Sequence, residues 1–373
     1  RRALRSVLCR RPEANAAPSP LPPLSAERLE QRTAAPFSKG QPVLWERVRL
    51  SNFPGEQDGL VLLTAAPSSG QGQRRPVVLL LHSTGKCKEY VAEHLERWAQ
   101  KGFLAVAYDA RYHGERALPG AGLRELSLQA LGPALVDEIV ATEQQRLKVY
   151  HAALVRAWRT GAESPFVFDT AGDGISVIDY LVSRSDVDAK RIGVVGISLG
   201  GMSSWLLAAA DERVAVAVPA IGVQSFRYAL EQEIWAARVD TIRPVFEAAA
   251  KDLGKKEVAT ATVEAVWQRI VPGLAVAVAD ASQSAAFDAP LTLPCVAPRP
   301  MLVISGEKDP RCPLQGVRLA LASAEAAYAS AGAKGSLRSF VDKDVGHDMT
   351  ERMWREADLF LEAFLLQRRA AAL

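Results

Sequence analysis

Short apolar runs rich in β-branched residues recur along the chain, at residues 76–81, 103–108, 191–195, 214–219 and 301–305. Each is bounded by glycine, proline or polar residues, the pattern of a strand buried on both faces. Between these runs the apolar positions fall at helical spacing: Val91, Leu95 and Trp98 share one face, as do Met202, Trp205, Leu206 and Ala209. The alternation predicts an α/β fold with a mostly parallel, doubly wound sheet covered on both faces. Residues 43–50 and 60–66, joined by a turn over 52–59, read as an antiparallel edge, and residues 337–341 supply a last strand.

Two helical blocks interrupt the alternation. Residues 115–165 include Tyr150 and Trp158, and residues 225–290 include Trp235, Trp267 and Phe287. Insertions over the carboxyl edge of such a sheet shape a pocket, so the second block is expected to form a helical cap. The alternative is packing on the flank of the sheet. Residues 1–39 read as an extension ahead of one domain spanning 40–373, with the cap at about 225–290.

The chain's densest local signal is Gly196-Ile197-Ser198-Leu199-Gly200, set between a predicted strand and a predicted helix. A turn that sharp leaves no room for side chains two positions either side of the serine, and it exposes the hydroxyl above the sheet. Ser198 is therefore the candidate nucleophile. A serine needs a histidine base, itself oriented by a carboxylate. Of five histidines, His347 lies in the loop after the last strand, and Asp309 lies in the loop after strand 301–305. Glu307 competes for the acid role, Asp342 and Asp344 less strongly. His94, on the face of Val91, Leu95 and Trp98, is expected to be solvated, and His151 earns no role.

An oxyanion hole should combine the Leu199 amide with one from the loop after strand 76–81, His82-Ser83-Thr84-Gly85-Lys86. Thr84 is the preferred second donor and Ser83 the alternative. His82 reads foremost as a residue tying this loop down, and His82, Ser83, Arg111 and His113 are the candidates for the pocket rim. Arg111 could instead brace its own loop, and His113 could simply bond to backbone.

These segments resemble the α/β-hydrolase superfamily, in particular its dienelactone-hydrolase-like and acylaminoacyl-peptidase-like branch. The resemblance rests on His82-Ser83-Thr84-Gly85, on residues 108–116 (YDARYHGER), and on GISLGG, GEKDPRCP and VGHD, and it covers about residues 40–365. Residues 109–116 and 218–227 are further similar to little-characterised plant and algal α/β-hydrolases. By position the resemblance implies an α/β-hydrolase fold with Ser198 as nucleophile, Asp309 as acid and His347 as base. Ser83 stands where glycine is usual. The helix start at 168–174 lacks a tryptophan and carries Gly172 and Gly174, which weaken a helix by about 1 kcal/mol each relative to alanine.

Composition sets the remaining bounds. With 49 % hydrophobic and 23 % charged residues the chain can bury a large core, and it has no apolar run long enough to span a bilayer. Cys9, Cys87, Cys295 and Cys312 are too scattered for a disulfide framework. Cys312, close to Asp309, is a candidate redox-sensitive thiol at the site's edge. No two histidines stand at ligand spacing and no CxxC pair occurs, so neither metal nor cofactor is expected.

Residues 1–35 carry seven arginines and three glutamates, which leaves 38 basic and 39 acidic groups in the remainder. That balance offers no basic surface for nucleic acid. The Arg-rich start, followed by a Pro/Ala/Ser-rich stretch, resembles the remnant of a plastid or mitochondrial transit peptide. The other reading is a solvated tail on a cytoplasmic enzyme.

The expected activity is therefore a serine hydrolase cleaving a small-molecule ester with a small or medium apolar acyl group, of undetermined oligomeric state. An acylaminoacyl-type peptidase would usually need a propeller that the residues before the first oxyanion strand cannot supply. An acyltransferase would share the same intermediate. A non-catalytic ligand-binding homologue would keep the fold without the chemistry.

Overall fold

A computed structural model describes residues 1–8, 24–52, 59–70, 72–117, 127–274 and 286–366. The Pro/Ala/Ser-rich stretch and Cys9 lie outside them. Nine strands among the described residues form one sheet: β1 (Ser25–Ala34), β2 (Val43–Ser51), β3 (Leu60–Pro67), β4 (Arg75–Leu81), β5 (Leu104–Tyr108), β6 (Val187–Ile197), β7 (Val214–Ala220), β8 (Met301–Gly306) and β9 (Leu337–Asp342). Their order is β1-β2-β3-β5-β4-β6-β7-β8-β9. The first three strands pair antiparallel, as do β3 and β5, and all later pairings are parallel. This is the mostly parallel sheet expected from the alternation of strands and helices, in the α/β-hydrolase arrangement that the resemblance implies.

The helices are α1 (Arg2–Leu8), α2 (Ala92–Gln100), α3 (Pro133–Ala141), α4 (Glu143–Thr160), α5 (Phe168–Ser183), α6 (Leu199–Ala210), α7 (Phe226–Glu231), α8 (Ala236–Val239), α9 (Arg243–Asp252), α10 (Thr260–Ile270), α11 (Ala289–Thr292), α12 (Leu314–Ser330) and α13 (Glu351–Leu361). One apolar core gathers α1, α4, α5, α6 and α12 on one face of the sheet. A second core, with Trp98 of α2 and Trp354 of α13, covers the other face. Strands β5 and β8 are buried at every position, because helices lie on both sides of them. None of the described helices is long and apolar enough to cross a membrane.

Two elements come before the expected edge. Strand β1 pairs antiparallel with β2, although its sequence, SAERLEQRTA, is mostly polar and largely exposed. Backbone pairing and the Arg47–Glu30 and Arg28–Glu46 ion pairs hold it. Its charges also blunt an edge that could otherwise recruit another strand. Helix α1 is docked, with Leu4 and Leu8 buried and Arg5 3.8 Å from Asp211, so residues 2–8 are not a solvated tail.

The docking explains the two glycines of α5. A Cβ on Gly172 would lie 2.1 Å from the Leu8 carbonyl oxygen, and one on Gly174 would lie 2.8 Å from the Tyr108 hydroxyl. The helix gives up some intrinsic propensity so that α1 and β5 can approach it.

The described part of the block over 225–290 packs on α4 around Trp267, whose ring centroid lies 5.0–5.3 Å from those of Phe166, Phe226 and Phe246.

Candidate active site

Strand β6 runs directly into α6 through Ser198, which sits at φ 55°, ψ −108°. A non-glycine residue there is strained by roughly 1–3 kcal/mol, which the surroundings must hold in place. The flanking glycines make that possible. A Cβ on Gly196 would lie 2.0 Å from the Gly200 carbonyl oxygen, and one on Gly200 would lie 2.1 Å from that of Leu81. Backbone bonds from Ser198 to the Ala220 carbonyl (2.9 Å) and from Gly200 to the His82 carbonyl (3.1 Å) lash the turn to the neighbouring strands. Leu199 opens α6 immediately behind the serine.

His347, between β9 and α13, is brought to this turn by the parallel pairing of β8 with β9 and its neighbours. Its Nε2 lies 2.7 Å from Ser198 Oγ, and its Nδ1 lies 2.7 Å from Asp309 Oδ2. The other carboxylate oxygen of Asp309 accepts the amides of Arg311 (2.8 Å) and Cys312 (3.1 Å). Burial pushes the Asp309 carboxyl up, but the His347 bond and those amides outweigh it and hold it below the ordinary range. An ionised carboxylate only accepts, so Nδ1 carries the imidazole proton and Nε2 is free to accept the serine hydroxyl. For His347 itself burial is the largest influence and pushes its pKa down. Asp309 opposes that shift, and Arg238 and Arg311 add to it.

The competing acids are engaged elsewhere. Glu307 accepts the Asp344 amide, Asp344 pairs with Lys308 at 2.7 Å, and buried Asp342 pairs with Arg352 at 3.1 Å. Cys312 does not sit as an accessible thiol at the site's edge. It is fully buried beside the Ile221 carbonyl, and burial pushes its pKa to about 12, so it is a poor candidate for oxidation.

Ser83 and Thr84 line a cavity of about 400 Å³ together with Ser198, Arg311 and His347. The remaining rim candidates do not line it. His82 is buried and bonded through both ring nitrogens, Nδ1 to the Ser83 carbonyl and Nε2 to the Ala110 amide, each at 2.9 Å. Arg111 holds Asp173 through Nε (2.8 Å) and a terminal nitrogen (2.6 Å), bracing its own loop. His113 bonds the Arg111 carbonyl at 2.9 Å, and its ring rests 4.4 Å from that of Tyr150.

The far wall of the cavity holds Val136 and Glu143 of the first inserted block, with Met349 and Trp354. Among the described residues, none of the 225–290 block lines it. That block instead approaches the site through Arg238, which donates to the Arg311 carbonyl at 3.3 Å and to the Cys312 sulfur at 3.1 Å. Among the described residues, neither Arg238 nor Arg311 pairs with a carboxylate, so their charge acts on the site.

His94 is a cavity residue that the sequence reading placed in solvent. Its ring stacks on Trp354 at 3.6 Å, and burial, then the nearby Arg97, push its pKa to about 3. The apolar periodicity of α2 gives no hint of this, because Trp354 arrives from the far end of the chain.

Among the described residues two clusters bring together side chains of the kind that bind metals: Asp309, Cys312 and His347, and Cys87, Glu89 and Asp109. The first is already joined by the hydrogen bonds above. In the second, the buried Lys88 ammonium supplies the cation, 2.8 Å from Asp109 and 3.0 Å from Glu89.

The family model described as "Dienelactone hydrolase family" matches residues 63–269, more than half of the chain. That range contains Ser198 and ends before Asp309 and His347. YtaP of Bacillus subtilis (strain 168) is 50 % identical over 46 residues, 12 % of this chain and 15 % of that protein. The uncharacterised protein YcjY of Escherichia coli (strain K12) is 28 % identical over 149 residues, 40 % of this chain and 35 % of that one. The matches thus span little more than a third of these relatives at most. Among solved structures, an acetyl xylan esterase from Paenibacillus sp. R4 aligns with a TM-score of 0.56 at 20 % identity, covering 92 % of this chain and 90 % of that one. At that identity the likeness speaks for the fold. The named relatives are bacterial, and the expected likeness to plant and algal hydrolases finds no support among them.

Proposed function

The chain belongs to the dienelactone hydrolase family, and we propose that this member is a serine esterase that cleaves a carboxylic ester through an acyl-enzyme. The observation that carries the reading is the unbroken hydrogen-bond chain Ser198–His347–Asp309, with both links at 2.7 Å.

In this mechanism Ser198 Oγ attacks the ester carbonyl while His347 Nε2 takes its proton. Negative charge develops on the former carbonyl oxygen, where the Leu199 and Thr84 amides would receive it. The tetrahedral species collapses, the C–O bond breaks, and the imidazolium returns its proton to the departing alkoxide. Water then attacks the acyl–Ser198 ester with the same base, releasing the acid and restoring the serine. Asp309 holds the productive tautomer throughout and stabilises the imidazolium. The cavity of about 400 Å³ is lined by Lys86, Glu143 and Arg311 as well as Val136, Ile197, Ile221 and Met349, so its size suits a compact ester while its mixed lining does not favour the apolar acyl group expected from the sequence.

The pH profile tests this assignment. The base must be neutral, so kcat/KM rises with pH through the pKa of His347 in the free enzyme. Burial and two arginines lower that pKa from 6.5. The acidic limb for 4-nitrophenyl acetate hydrolysis should therefore have its midpoint below 6.5. A midpoint above it, or no hydrolysis by folded protein, contradicts the reading.

A further inference from the structure

Residues 83–86 form a tight turn, closed by the Lys86 amide on the Ser83 carbonyl at 3.1 Å. Gly85 sits at its third position with φ +77°, a left-handed conformation that such a turn requires there. The Ser83 carbonyl also takes the His82 Nδ1 proton at 2.9 Å. In a planar peptide the carbonyl and the next amide point in opposite directions, so gripping Ser83 O aims the Thr84 N–H away from His82. One end of the turn is thereby fixed from within its own loop.

The other end is held from outside. Arg146 of α4 donates to the Gly85 carbonyl at 3.0 Å, to Thr142 Oγ1 at 2.6 Å and to the Ile139 carbonyl at the end of α3. It is 1 % exposed, and among the described residues no carboxylate pairs with it. Among the described residues its Nε has no acceptor. Burying a guanidinium on neutral acceptors, two carbonyls and a hydroxyl, is costly, and a side chain needed only for volume would be apolar. What this group uniquely supplies is a rigid fork joining the α3–α4 junction to the turn. Glu143 completes the grip: it pairs with Lys86, and its carboxylate lies where a Cβ on Gly85 would be, 2.5 Å away.

We propose that Arg146 is a positioning residue for the oxyanion turn, so that the first inserted block sets the direction of the Thr84 amide as well as walling the cavity. This rests on the reading of Thr84 as an oxyanion donor. It also assigns the block over 115–165 a role in rate that the cavity wall alone would not give it. A donor that must meet charge only in the transition state tolerates little misplacement, and loosening the turn should lower kcat with little change in KM.

The test compares the full-length wild type with Arg146→Met and Arg146→Lys. Active sites are titrated with a fluorophosphonate, and kcat and KM are measured on 4-nitrophenyl acetate. Hydrogen exchange is followed in the peptide spanning residues 83–88. Arg146→Met should lose on the order of 10- to 100-fold in kcat per titrated site at near-constant KM, with faster exchange in that peptide. Arg146→Lys should recover part of the loss, since an ammonium keeps the charge but lacks the planar fork. A purely structural role would lower the titrated fraction or the melting temperature and leave kcat per site intact, which overturns the proposal. If Arg146→Met does not fold, wild-type kcat per site in Arg146→Lys overturns it equally. Faster exchange in the variants of a protein whose wild type hydrolyses nothing would sink the esterase reading and leave the clamp standing.

Discussion

Ser198→Ala should reduce ester turnover by on the order of 10⁵- to 10⁶-fold while leaving the protein folded. The loss is that large because the base and the acid serve only the serine hydroxyl, so removing it disables all three together. The residue left by the oxyanion amides and binding should still exceed the uncatalysed rate. Folding is not at risk from the substitution. The hydroxyl is bonded to His347, and alanine accepts the same backbone conformation at no greater strain, since the flanking glycines create the turn. Steady-state hydrolysis of 4-nitrophenyl acetate beside a thermal melt checks both halves. Near-wild-type turnover in the variant would place the nucleophile elsewhere.

Asp309→Asn should cost about 10⁴-fold in kcat. Asparagine fills the same space and can still accept, but its amide nitrogen also donates. Facing a donor, His347 Nδ1 becomes the acceptor, the proton moves to Nε2, and the ring then presents a donor to Ser198, which needs an acceptor. The Arg311 and Cys312 amides can still bond the side-chain oxygen, so stability should change little. Glu307→Gln is the control: among the described residues the Glu307 carboxylate accepts the Asp344 amide, 3.0 Å away, and its loss should leave kcat near wild type. The reverse pattern, a mild effect of Asp309→Asn and a severe one of Glu307→Gln, would move the acid role to Glu307.

Much of the sheet was legible because its strands are buried on both faces. Residues 76–81, 103–108 and 301–305 are nearly unbroken apolar runs, and they appear as β4, β5 and β8 within one or two residues. Strand β1 was not legible: its residues are polar because it lies at an open edge, and only its pairing with β2 makes it a strand. Helix α1 was hidden for a different reason. Its two buried residues, Leu4 and Leu8, pack against a surface that α5 leaves open by carrying Gly172, and no local pattern announces that complementarity.

In the site, Ser198 stood out because the strained turn needs small neighbours, a requirement written in adjacent residues. Asp309 and His347 followed from their places after strands that the fold sets side by side. The cavity's outer wall followed from neither. His94 reaches it by stacking on a tryptophan of α13, and Arg146 reaches the turn at Gly85 from a helix inserted far along the chain. Such contacts depend on how helices cross, which periodicity does not specify. The two inserted blocks look alike as sequence, yet among the described residues the first contributes Val136 and Glu143 to the cavity lining and the second contributes none.

Labelling with a fluorophosphonate, followed by mass mapping of the adduct, tests the central claim most directly. The account predicts a single adduct on Ser198, formed at a rate that falls as pH drops through the lowered pKa of His347. No adduct on folded protein, or one on the neighbouring Ser203 or Ser204, whose hydroxyls are bonded to helix carbonyls, would contradict it.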